Sequence, residues 1–171
     1  MSLRNNLLLV QSNDLSTWDK INDIDLVITS PQYRALQTTS NIFQNHLGSK
    51  RIIALESVRE YPLSFQVCNQ RSKKSLLKKD FIHINFDNIK TDEDNMWSNN
   101  RSESLVSLEN RVGEFLNFIK NRPEKNICLV GHDLFINKLV YNKTMFNIEE
   151  YNRTQCLPQE VNLKKIYNNL C

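Results

Sequence analysis

A chain of 171 residues, 40% hydrophobic and 24% charged, has the length and composition of one globular domain with a substantial core. Its net charge of +3 is too small to argue for nucleic acid, and no apolar run approaches the ~20 residues of a membrane span. The four cysteines form no CxxC pair, and His46 and His83 lack acidic or cysteine partners at ligand spacing, so neither a metal nor another cofactor is expected. Only four apolar residues follow the first six, too few for a signal peptide, and a cytoplasmic protein is the expectation.

In chain order, Leu7 to Val10 is a short apolar run that predicts a strand over Asn6–Val10, ended by the polar cluster Gln11-Ser12-Asn13-Asp14. One or two helical turns are expected near Ser16 to Lys20, capped by Ser16. Leu26-Val27-Ile28 has the continuous apolar character of a buried parallel strand. Ser30-Pro31 breaks that strand, and Tyr33, Leu36 and Ile42 recur at helical spacing. Pro31 is expected in the helix's first turn, with Ser30 as its cap and Gly48 as its C-terminal stop. Arg51 to Leu55 reads as a third strand. The pattern then loosens into a long insertion over about 56–101, with one helix near Ser72 to Lys79.

Leu105, Leu108, Val112, Phe115, Leu116 and Ile119 are spaced by threes and fours, so Ser102 to Lys120 predicts an amphipathic helix. Asn126 to Val130 is a buried strand closed by Gly131-His132-Asp133, and Leu134 to Val140 is helical again. Glu160 to Ile166 is expected as an edge strand or a docked segment. Strands alternating with helices predict a three-layer αβα fold with a mainly parallel sheet, one domain over 1–171.

Three residues suggest chemistry. Arg34 falls in the first turn of a helix leaving the C-terminal end of a strand, the edge where open α/β sheets bind ligands and helix N-termini favour anions. A guanidinium there reads as a phosphate clamp, against the alternative of a surface arginine in an ordinary βα unit. His132 stands at the equivalent place after its own strand, and Glu60 follows the third. Together they suit phosphate-ester chemistry: arginine and histidine hold the phosphoryl oxygens, and the carboxyl protonates the leaving group. The basic run with Arg71, Lys73, Lys74, Lys78 and Lys79 is read as a solvated face that attracts phosphorylated ligands or acidic partners, with nucleic acid the outsider.

Ser30-Pro31-Gln32-Tyr33-Arg34-Ala35-Leu36-Gln37-Thr38 resembles the "SPxxRAxQT" block of the histidine phosphatase superfamily, the phosphoglycerate mutase-like family. Ile127-Cys128-Leu129-Val130-Gly131-His132 is similar to that family's second-histidine strand. Arg59-Glu60, Cys68 to Arg71, Asp92-Glu93-Asp94 and Trp97 resemble the "RE…C-x-x-R", acidic and tryptophan blocks of its plant and fungal branch. In that family a histidine of an Arg-His-Gly motif after the first strand attacks the phosphoryl group and forms a phosphohistidine. The resemblance implies that Arg34 and His132 bind phosphate and that Glu60 is the acid, with Glu56 a nearby alternative.

The departures carry as much weight. No Arg-His-Gly occurs in these 171 residues; Gln11 and Ser12 stand where the arginine and the nucleophilic histidine are expected. The segment between the first and second strands is short, and Asp133 follows His132 where the family prefers small residues. A hydroxyl without an adjacent base is a poor nucleophile. The reading is a degenerate, catalytically impaired member, a pseudophosphatase that keeps phosphate or phospho-ligand binding or a protein-interaction role. The alternative is an active phosphomonoesterase whose nucleophile is altered, supplied by a neighbouring chain, or encoded upstream of a truncated sequence. The ligand expected is a phosphorylated small molecule or protein, with a homodimer left open and no membrane partner.

Overall fold

The computed structural model describes residues 6–10, 19–144, 159–163 and 166. The strands β1 (Asn6–Val10), β2 (Leu26–Thr29), β3 (Arg51–Ala54), β4 (Asn126–Val130) and β5 (Gln159–Asn162) form one sheet in the order β3-β2-β4-β1-β5. The first four are mutually parallel, and β5 runs antiparallel along β1 as the edge. No described helix is long and apolar enough to cross a membrane.

Alternation along the central strands builds the two faces. Leu26 and Ile28 of β2 and Ile127 and Leu129 of β4 share one core with the helices α3 (Leu105–Lys120) and α4 (Asp133–Tyr141). Val27, Cys128 and Val130, from the opposite pleats, join α1 (Tyr33–Ile42) and α2 (Lys74–Asp80) in the other. The result is three layers, helices on both faces of a mainly parallel sheet, which is why residues 26–28 of β2 and 127–130 of β4 are continuously apolar instead of alternating. Each such aliphatic side chain, taken fully out of water, contributes about 1.5–3 kcal/mol before the entropy of ordering it.

Element ends differ from the sequence reading for local reasons. Ser30 still belongs to the sheet edge, its N–H donating to the Val130 carbonyl. The chain therefore turns through Pro31, and α1 starts at Tyr33 with Gln32 in the cap position. Ser30 Oγ accepts the Gln32 N–H at 3.3 Å, a two-residue turn and not a helix cap. The same helix stops at Ile42, well before Gly48. Thr38, Thr39 and Ser40 donate their hydroxyls back to the carbonyls of Arg34, Ala35 and Leu36, which weakens a helix, and a 3-10 turn over Gln44–His46 replaces its last part. Ser104 caps α3 by accepting the Ser107 N–H, so that helix begins at Leu105 and not at Ser102. The expected Ser16 cap lies outside the described residues; a 3-10 turn spans Asp19–Asp23.

The insertion is not a loose loop. Arg59, with no exposed surface, donates to both carboxylate oxygens of Asp94, at 2.9 and 2.6 Å, and to Glu56 at 3.1 Å. Arg71 donates from Nε to Glu56 and from its terminal nitrogens to the carbonyls of Ser72, Thr91, Asp92 and Glu93. Asp94 in turn accepts the N–H groups of Arg71, Met96 and Trp97. Two arginines and two carboxylates thus hold a segment whose backbone has few sheet or helix partners of its own. Little of the basic run is a free cationic face: Lys73 pairs with Glu93, Lys78 with Asp87, and Lys74 donates to the Ile89 carbonyl.

Candidate functional site

The C-terminal ends of β2, β3 and β4 lie side by side, so the segments leaving them share one sheet edge. Arg34 arrives from β2 through the first turn of α1, and Glu60 from β3 through a 3-10 turn over Glu56–Val58. His132 ends β4 and caps α4. The three meet in a pocket of about 210 Å³ lined by Arg34, Ala35, Thr38, Glu60, Val130, Gly131, His132 and Asp133. Three residues that are 26 and 72 positions apart in sequence converge because each follows a strand of the same parallel sheet.

Each is gripped from behind. Arg34 donates from Nη1 to the Cys68 carbonyl and from Nη2 to Asn69 Oδ1 at 2.9 Å. The Glu60 backbone is held on two sides: its N–H donates to Gln32 Oε1 at 2.8 Å, and its carbonyl accepts from Arg111 Nη2 at 3.3 Å. Arg111 also donates to the carbonyls of Ser57 and Arg59 and pairs with Glu103 through two nitrogens. His132 is only 6% exposed, and its Nε2 is buried with no hydrogen-bond partner among the described residues. A buried imidazole nitrogen without a partner is costly unless a ligand completes it.

Burial sets the electrostatics of this pocket. Burial pushes the Glu60 carboxyl from 4.5 up to about 7; the Tyr61 N–H and the Arg34 charge oppose that rise, and the Asp133 carboxylate adds to it. Burial also holds His132 well below the ordinary histidine range, with the Arg34, Arg59 and Arg111 charges acting the same way. At neutral pH the imidazole is therefore neutral in the empty pocket. A bound anion between Arg34 and His132 reverses that balance, since a negative charge favours the imidazolium. A carboxyl titrating near neutrality can give a proton to a leaving oxygen, which an ordinary glutamate cannot do well.

Glu56, the alternative acid, does not line this pocket, and its carboxylate is bound by Arg59 and Arg71. Asp133 does line the pocket, and its carboxylate acts on Glu60. His83 bonds Ser40 Oγ at 3.0 Å, and neither it nor His46 lines the pocket. Gln11 and Ser12 lie outside the described residues. The strand before them ends at Val10, paired in register with Val130, two positions before His132. Sequence reasoning assigned no role to Gln32, Asn69, Glu103 or Arg111. Arg111 left a readable signal: it interrupts the apolar face of α3 between Leu108 and Val112, where an unpaired charge is untenable.

Comparison with known proteins matches this architecture. The family model described as the histidine phosphatase superfamily (branch 1) aligns with residues 10–169. A phosphoglycerate mutase-like protein of Arabidopsis thaliana is 29% identical over 146 residues, covering 70% of this chain and 54% of its own length. Phosphoglycerate mutase-like protein 1 of the same plant is 30% identical over 139 residues, covering 66% of this chain and 49% of its own. The chain therefore spans about half the length of these relatives. The crystal structure of a candidate alpha-ribazole-5'-P phosphatase from Escherichia coli superposes with a TM-score of 0.41 at 15% identity over 80% of each chain. With the family model covering nearly the whole chain, this protein belongs to the histidine phosphatase superfamily.

Proposed function

We propose that this chain is a phosphate- or phospho-ligand-binding member of the superfamily in which catalysis is impaired. The observation that carries the reading is the pairing of a kept pocket with a missing nucleophile. Arg34, Glu60 and His132 converge in one cavity, whereas no Arg-His-Gly occurs in the sequence and Gln11-Ser12 follows the first strand.

In this reading Arg34 binds phosphoryl oxygens through the N–H groups that Cys68 and Asn69 leave uncommitted. His132 presents Nε2 to the same anion and gains a proton as it binds. Glu60 enters the complex protonated and donates a hydrogen bond where an ionised carboxylate repels the ligand. Asp133 raises the proton affinity of Glu60, so the carboxylate that follows His132 favours the neutral acid beside it. Among the described residues lining the pocket, none is a cysteine or serine, and His132 is the only histidine. Removing the nucleophile of a hydrolase costs about 10⁶ in turnover, as subtilisin shows.

Two measurements test the proposal together. Titration with inorganic phosphate shows saturable binding that weakens in Arg34→Ala and His132→Ala. Incubation with a generic aryl phosphate releases no product above buffer. Turnover in the wild-type protein that disappears in His132→Ala overturns the impaired-enzyme reading, and unchanged phosphate binding in both variants overturns the pocket itself.

A further inference from the structure

We infer that Asn69 is the positioning residue of the anion site: from the insertion, it fixes the guanidinium of Arg34 in its binding pose. The inference rests on the phosphate-binding reading of the pocket and adds to it a residue that lines no part of the cavity.

Arg34 alone is a poor receptor. It sits in the first turn of α1, on a long flexible side chain whose ordering costs entropy, and its hydrogen-bond partners among the described residues include no carboxylate. What orders it comes from the insertion. Asn69 Oδ1 accepts from Nη2 at 2.9 Å, and the carbonyl of the preceding residue accepts from Nη1. Both acceptors are neutral, so the guanidinium is held while its full charge stays available to an anion. A carboxylate in the same place would hold it and cancel it.

Asn69 can do this because every other polar group it has is anchored. It is 2% exposed. Its Nδ2 donates to the Pro62 carbonyl at 3.0 Å, which fixes the amide's orientation and turns Oδ1 toward Arg34. Its own carbonyl accepts from Gln32 Nε2 at 2.9 Å and from Arg59 Nη2 at 2.8 Å. Gln32 is the residue whose Oε1 receives the Glu60 N–H. One buried asparagine therefore connects the phosphate-clamp arginine, the candidate acid and the Arg59–Asp94 pair that ties down the insertion.

A double-substitution cycle with inorganic phosphate as the probe separates positioning from general packing. Asn69→Ala is expected to weaken phosphate binding about tenfold, the scale of one hydrogen bond to a charged group. In an Arg34→Ala background the same substitution is expected to change the affinity hardly at all, because the group through which it acts is gone. Equal losses in both backgrounds, or no loss in the first, overturn the positioning role. Asn69→Ser, which keeps a small polar side chain but cannot reach Arg34, repeats the cycle if the alanine variant does not fold. If Arg34→Ala itself binds phosphate as the wild type does, the pocket reading and this inference both fall. If Arg34→Ala weakens binding and the Asn69 losses simply add to it, only this inference falls.

Discussion

Two clusters of charge lie close together in this protein, and their electrostatics run in opposite directions. In the insertion, Arg59 and Arg71 pair with Glu56 and Asp94, although Arg59 Nε keeps no partner among the described residues. Burial alone would raise Asp94, yet the Arg59 guanidinium bonded to it holds its carboxyl at about 2. In the pocket burial dominates, lifting Glu60 to about 7 and holding His132 neutral, and His132 Nε2 has no partner among the described residues. Matched buried charges order backbone, whereas groups with shifted protonation in a cavity are candidates for function. The insertion cluster borders the pocket through Asn69, whose carbonyl accepts from Arg59 and whose side chain holds Arg34.

The largest effect that sharpens the contrast is on stability. Arg59→Met strips the partner from the buried carboxylate of Asp94 and is expected to cost about 3–5 kcal/mol in urea unfolding. A cost below ~1 kcal/mol would mean that the insertion is ordered by something else. Glu60→Gln, by contrast, is expected to stabilise the protein, and only on one side of neutrality. The folded-state rise from 4.5 to about 7 means that the folded form holds an extra proton between those values, so stability falls as pH rises through that window. At pH 8 the glutamine variant gains about 3 kcal/mol over wild type, and at pH 4 it gains nothing. Melting curves with the same pH dependence for both proteins would refute the burial assigned to Glu60.

Arg34→Ala tests the same contrast through binding. Phosphate affinity is expected to drop roughly 10- to 100-fold, with a smaller loss of stability than Arg59→Met, since the acceptors that Arg34 leaves on Cys68 and Asn69 are neutral. A large loss of stability there would erase the distinction between the clusters. The smallest effect is that of Lys73→Ala, which breaks an ion pair with Glu93 on the open surface. Solvent screening leaves such pairs little net value, so no measurable change in unfolding is expected, in contrast to Arg59.

Much of the frame was legible in the chain because the strands are apolar on both faces. Leu26 to Ile28 and Ile127 to Val130 could only be central parallel strands, and Arg34 and His132 followed as residues of the ligand edge. The ends of α1 were not legible. They depend on Ser30 staying bonded to β4 and on hydroxyls bonding backward, neither of which periodicity reveals. The insertion was also opaque: its order comes from side chains meeting backbone 20 or more positions away, as Arg71 does with Thr91 and Asp92. In sequence Glu60 was the expected acid and Glu56 a nearby alternative. The structure separates them by their partners, arginines on Glu56 and a desolvated pocket around Glu60.

The central proposal is that the pocket binds phosphate and that the missing Arg-His-Gly motif is what denies it turnover. Aryl phosphate turnover by the triple variant Gln11→Arg/Ser12→His/Asn13→Gly, compared with wild type, tests it most directly. The account predicts no turnover by the wild-type chain, and turnover with a trapped phosphohistidine in the triple variant. Wild-type turnover abolished by His132→Ala, or a triple variant that folds and binds phosphate but remains inert, would contradict it.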